Sequence, residues 1–194
     1  MIKAPTAGDA LLLVDVQNDF LPGGALAVPD GDAIIPVLNR YVAVARAARV
    51  PIYASRDWHP REHCSFKARG GPWPPHCVAG TAGADFAPAL DLPPTTEVVS
   101  KAATAEKDAY SAFEGTGLAD DLRGKGVKRL LIGGLATDYC VLNSVRDALK
   151  HGFEVLLLAD AMRAVDVKAH DGDAAEAEML RLGARPVTFG DLNP

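Results

Sequence analysis

The sequence predicts an α/β fold, a three-layer sandwich in which a parallel β-sheet lies between helices. Two observations carry that expectation. Short apolar runs, five or six in number, alternate along the chain with segments of helical periodicity, and such alternation builds a parallel sheet covered by helices. The runs are also dense in Leu, Val and Ile without polar alternation, which suits strands buried on both faces.

In chain order, ALLLVDVQ (10–17) reads as the first strand and 32–49 as the first helical segment. PIYASRD (51–57) and EVVSK (97–101) follow as strands, then a short helix over 117–124. KRLLIGG (128–134) is the fourth strand, and two glycines at its end, Gly133 and Gly134, permit a sharp strand-to-helix turn. A helix over 137–151, the strand EVLLLAD (154–160), a helix over 169–182 and the weaker strand RPVTF (185–189) complete the pattern. In the last helix Ala175, Met179 and Leu182 fall on one face at helical spacing. The stretch 59–92 breaks the alternation. It is rich in Pro and Gly, and a connection that long is usually functional.

A length of 194 residues is enough for a real core, and one domain over 1–194 is expected. The formal net charge of -5 argues against nucleic acid or an anionic membrane as partner. No run of about 18 apolar residues is present, and MIKAPTAGDA lacks the features of a signal peptide. A soluble, cytoplasmic protein without a membrane partner is therefore expected. The three cysteines, Cys64, Cys77 and Cys140, form no C-x-x-C pair, and their odd number favours free thiols over a disulfide framework.

Four strand ends carry side chains suited to chemistry. Asp15 sits in the apolar LLLVDVQ, where a carboxylate is costly unless paired or functional. Asp57 and His59 form a D-x-H pair whose members project to the same side of an extended segment. His76, in PWPPHC, offers a further imidazole from the long connection. Two imidazoles plus a carboxylate, leaving open positions, fit a catalytic rather than a structural metal. His63 is either a fourth ligand or a surface histidine. Lys101, taken alone, reads as an exposed charge at the end of a strand. Cys140 falls in the first turn of the predicted helix after Gly133 and Gly134, with Thr137 and Asp138 as capping residues. That placement would stabilise a thiolate and offer N–H groups to an oxyanion, although a buried inert cysteine fits the local sequence equally well. Cys64 and Cys77 read as incidental. No dinucleotide fingerprint, phosphate-binding loop or serine-nucleophile elbow is present.

Asp15, Lys101 and Cys140 in that order, with VDVQNDFLPGGALAV, RDWHP, WPPHCVAGTAGADF, SKAATAEKDAYSAFEGTGL and GGLATDYCV, resemble the nicotinamidase branch of the isochorismatase-like cysteine hydrolases. The resemblance implies a six-stranded parallel sheet in the order 3-2-1-4-5-6. It implies hydrolysis of nicotinamide, and often of pyrazinamide, within NAD salvage. By position it makes Asp15, Lys101 and Cys140 catalytic, and Asp57, His59 and His76 the ligands of a divalent metal, zinc foremost, with manganese or iron as alternatives. It places Phe20, Trp73, Tyr110 and Leu135 around the substrate ring. It puts a non-proline cis peptide at Leu135-Ala136 and an oxyanion hole at the N–H groups of Ala136 and Cys140. The implied partner is a small-molecule amide, and the assembly state, homo-oligomer included, stays open. Two other readings stay open: a metal-independent carbamoyl or ureido amidohydrolase on the same scaffold, and a non-catalytic metal- or ligand-sensing module. Metal content separates the first from a nicotinamidase, and the reactivity of Cys140 separates the second.

Overall fold

A computed structural model describes residues 2–193 of the chain. The six apolar runs form one sheet: β1 (Asp9–Val14), β2 (Ile52–Asp57), β3 (Glu97–Lys101), β4 (Arg129–Leu135), β5 (Glu154–Arg163) and β6 (Arg185–Val187). Every neighbouring pair is parallel, in the order β3-β2-β1-β4-β5-β6. A separate parallel pair joins Ile2–Lys3 to Leu192–Asn193. The helices are α1 (Ile35–Ala48), α2 (Leu118–Gly124), α3 (Leu142–Lys150) and α4 (Asp171–Arg181).

The pleat divides the apolar runs between two cores. Leu11 and Leu13 of β1 pack with Leu38, Tyr41, Val42 and Ala45 of α1 on one face. Ala10, Leu12 and Val14 turn to the other face, against Leu122 of α2, Val145 of α3 and Met179 of α4. Both faces are thus covered, which explains runs without polar alternation. Each such Leu, Val or Ile contributes about 1.5–3 kcal/mol by leaving water.

Three expectations need correction. EVVSK is not buried on both faces: β3 is an edge strand paired only with β2, and Val98 is 49% exposed. Leu182 does not share the apolar face of Ala175 and Met179, because α4 ends at Arg181 and Leu182 is exposed beyond it. Gly133 and Gly134 do not make the turn itself; both lie within β4. Gly134, at φ +131°, is required because a Cβ there would stand 2.1 Å from the Val14 carbonyl oxygen. Close approach of β4 to β1 at the sheet's carboxyl end is therefore what this glycine secures. The turn follows one residue later, where Thr137–Val141 form a single wide π-helical turn before α3 begins at Leu142.

Candidate active site

The strand order reverses between β1 and β4, and in such sheets ligands bind in the crevice beyond the strands' carboxyl ends. Four of those ends deliver the candidate residues. Asp15 follows Val14 and turns out of the strand at φ +48°. Asp57 and Lys101 are the last residues of β2 and β3 and are partners in register. Cys140 arrives on the π-helical turn after β4, beyond a cis Leu135-Ala136 peptide. All four are buried.

Lys101 stands at the centre of the cluster. Its Nζ lies 3.0 Å from Asp15 Oδ2, bonds Asp57 Oδ1, donates to the Ala109 carbonyl at 3.2 Å and reaches Cys140 Sγ at 3.5 Å. The exposed-charge reading of Lys101 is thereby overturned, since the residue is 1% exposed. Burial alone would lower its pKa, but Asp15, Asp57 and Cys140 outweigh that and hold the ammonium charged well above the usual range. For Asp57, burial pushes upward, yet Lys101 and His59 outweigh it and keep the carboxylate ionised. For Asp15 desolvation prevails over Lys101 and Ser55, and its pKa is raised. The Cys140 thiol is likewise pushed up by desolvation, against the pull of Lys101. Cys140 lies in the first helical turn, since Thr137–Val141 runs straight into α3, but burial there outweighs the Lys101 charge and holds the thiol above its ordinary range. A neutral thiol faces a carboxylate made more basic by the same burial.

Asp57 has a second oxygen, and this one faces imidazoles. Oδ2 is 3.5 Å from His59 Nε2 and 3.9 Å from His76 Nε2. One ligand atom from each of these three buried residues fits within a 4.8 Å group. His59 Nδ1 lies 3.2 Å from the Ala102 carbonyl and His76 Nδ1 lies 2.8 Å from the Pro74 carbonyl. Such partners place the ring proton on Nδ1 and leave both Nε2 lone pairs for a cation. Burial lowers the His76 pKa, so its ring is neutral, as a ligand must be. The donor set therefore fits a divalent metal with open positions. His63 is not gathered into this group, nor is it a surface histidine, being fully buried. It stacks on His59 at 4.1 Å between ring centroids, with Nδ1 against Ser65 Oγ at 2.7 Å and Nε2 against the Lys107 carbonyl at 3.2 Å.

Beside these groups opens a small pocket. Phe20, Trp73 and Tyr110 line it, with Trp73 Nε1 donating to Tyr110 Oη at 3.0 Å. Leu135 does not: it is fully buried in the core on the α1 side. Ala136 and Cys140 line the pocket where the oxyanion hole is expected. Tyr139, Val28, Leu26 and Val165 add to the apolar wall and had no place among the expected residues. Tyr139 could have been found from its position beside Cys140, whereas Val28 reaches the pocket only through the fold.

Supporting residues were also missed. Gln17 is fully buried and clamps Asp57: its Nε2 donates to the Asp57 and Ala84 carbonyls at 2.8 and 2.9 Å, and its Oε1 accepts from the Asp57 N–H at 2.8 Å. Asp19 Oδ2 accepts from the Cys77 N–H at 2.7 Å, fixing the backbone next to His76. Ser55 donates to Asp15 Oδ1 at 2.7 Å. The available signal for Ser55 was its i, i−2 relation to Asp57, which turns both to one side of β2.

The chain has relatives among known proteins. The sequence pattern of the Isochorismatase domain matches residues 9–189. A nicotinamidase of Escherichia coli (strain K12) is 39% identical over 94% of this chain and 95% of its own. The crystal structure of the pyrazinamidase of Pyrococcus horikoshii in complex with zinc superposes with a TM-score of 0.90 at 52% identity, covering 94% of this chain and 99% of that one. PnC1 from L. infantum in complex with nicotinate gives 0.89 at 37% identity, covering 99% and 98%. The match spans almost the whole sheet and every strand end that carries the site, and on that ground the chain belongs to the isochorismatase-domain family.

Proposed function

We propose that this chain is an amidohydrolase that converts nicotinamide to nicotinate and ammonia, and accepts pyrazinamide, through a thioester on Cys140. One observation carries the reading. The Asp15–Lys101–Cys140 cluster opens onto an aromatic-lined pocket that also borders Asp57, His59 and His76. A nucleophile for an amide carbonyl and a donor set for a cation thus face the same small space. The nicotinamidase, pyrazinamidase and nicotinate-bound relatives support that choice of substrate.

In the proposed sequence Asp15 takes the thiol proton as Cys140 Sγ attacks the carbonyl carbon. Lys101 offsets the negative charge passing between sulfur and carboxylate, and the N–H groups of Ala136 and Cys140 receive the oxyanion. Asp15 returns the proton to the leaving amine, releasing ammonia. A water then gives its proton to Asp15 and its hydroxyl to the thioester, and nicotinate and the thiol are restored. Asp57, His59 and His76 would hold the divalent ion, zinc foremost, which when bound supplies a Lewis-acid contact for the pyridine nitrogen. Phe20, Trp73 and Tyr110 would flank the ring.

The test is ammonia release from nicotinamide, pyrazinamide and carbamoyl substrates, with zinc and with chelator. Zinc-dependent release from the two ring amides is expected. Metal-independent turnover of carbamoyl compounds alone would overturn the assignment.

A further inference from the structure

We propose that Ser55 is a positioning residue for Asp15, holding Oδ1 so that Oδ2 is the oxygen that takes the Cys140 proton. The inference rests on the reading of Asp15 as the base. Ser55 is fully buried in β2, directly across from Val14 in register. Its hydroxyl donates to Asp15 Oδ1 at 2.7 Å, and its carbonyl accepts from the Asp15 N–H at 3.2 Å. Backbone and side chain of one residue thus grip the aspartate at the point where it leaves the strand at φ +48°. Oδ2 is buried and is held by the Lys101 ammonium at 3.0 Å, with no further donor among the described residues. With that one partner it keeps a lone pair for a transferred proton, and an Asp15 carboxylate oxygen lies within 4.8 Å of Cys140 Sγ. Without the Ser55 hydroxyl the carboxylate could rotate, exchange its oxygens or turn a lone pair away from sulfur. Because the backbone bond survives substitution, side-chain variants isolate the hydroxyl.

Two pairs of proteins, differing within each pair by one hydroxyl, test this: wild type with Ser55→Ala, and Ser55→Thr with Ser55→Val. Nicotinamide turnover should fall about 10- to 100-fold in kcat on losing the hydroxyl in each pair, the range expected for a hydrogen bond to a charged group, with KM within about threefold. In an Asp15→Asn background, Ser55→Ala should cause no further loss. Equal kcat within either pair, the same loss in the Asp15→Asn background, or collapse of both hydroxyl-free variants would assign the hydroxyl to the fold and overturn the proposal. Failure of the parent reading looks different: wild type would not turn over nicotinamide, or Asp15→Asn would retain full activity.

Discussion

Two lysines in this chain each face two carboxylates, and they live in different solvents. Lys125 contacts Glu97 and Asp121 and donates to Tyr53 Oη at 3.0 Å, with its side chain 34% exposed. Lys101 contacts Asp15 and Asp57 with its side chain fully buried. At the surface, water does most of the solvating, so the Lys125 cluster is worth little, typically below about 1 kcal/mol per pair. In the core each ion forfeits several kcal/mol of hydration, and an apolar replacement of the whole set would often be as stable. The buried cluster thus makes sense through what it does beside Cys140, and the exposed one through where it lies along α2 and β3.

The widest separation between the two should be in turnover. Lys101→Met is expected to lower kcat/KM for nicotinamide by about three orders of magnitude, while Lys125→Met stays within about twofold, by steady-state ammonia release. Comparable losses in both would erase the distinction. Stability should follow in the same direction. Lys101→Met strands two buried carboxylates and should cost about 3 kcal/mol in denaturant unfolding, against less than about 1 kcal/mol for Lys125→Met.

The third difference is reached through metal. Asp57 is shared between Lys101 and the imidazoles, and Gln17 fixes its backbone. Gln17→Leu should weaken zinc binding by about tenfold in calorimetric titration, as loss of a ligand's supporting contact usually does. An unchanged affinity would detach Gln17 from the metal centre.

Acid offers a smaller effect whose sign is fixed. Asp57 is held below its ordinary value of 3.8, so its contribution to stability is present above that pH and is lost as pH falls below it. Asp15 is raised above 3.8, so the stability its neutral form adds is present below 3.8 and is lost as pH rises through the folded value. As base it must be ionised, which places the acid limb of kcat/KM above 3.8; a limb below that value would remove Asp15 from the role.

Legibility differed along the chain for physical reasons. The strands were readable because burial on both faces imposes unbroken apolar runs, as in LLLV of β1. β3 was misread as a buried strand because Val98 and Val99 satisfy the same pattern at an edge, and nothing local says which strand ends the sheet. Asp15 was readable as an anomaly, a carboxylate in an apolar strand. Lys101 was not, since a lysine ending a strand is ordinary until three distant groups converge on it. The hydroxyl of Ser55 was hidden for a similar reason: its partner, Asp15, is 40 residues away, and only strand pairing joins them. Val28 reaches the pocket from a loop whose course depends on Phe20 and Gly31, with their backbones tied to it at 2.9 and 3.0 Å.

The most direct test of the account is rapid-quench mass spectrometry of the protein mixed with nicotinamide. A transient species heavier by one nicotinoyl group should appear, map to the peptide containing Cys140, and be absent from Cys140→Ala, which should also lose ammonia release. Ammonia release at the wild-type rate from Cys140→Ala, or an adduct on another residue, would contradict it.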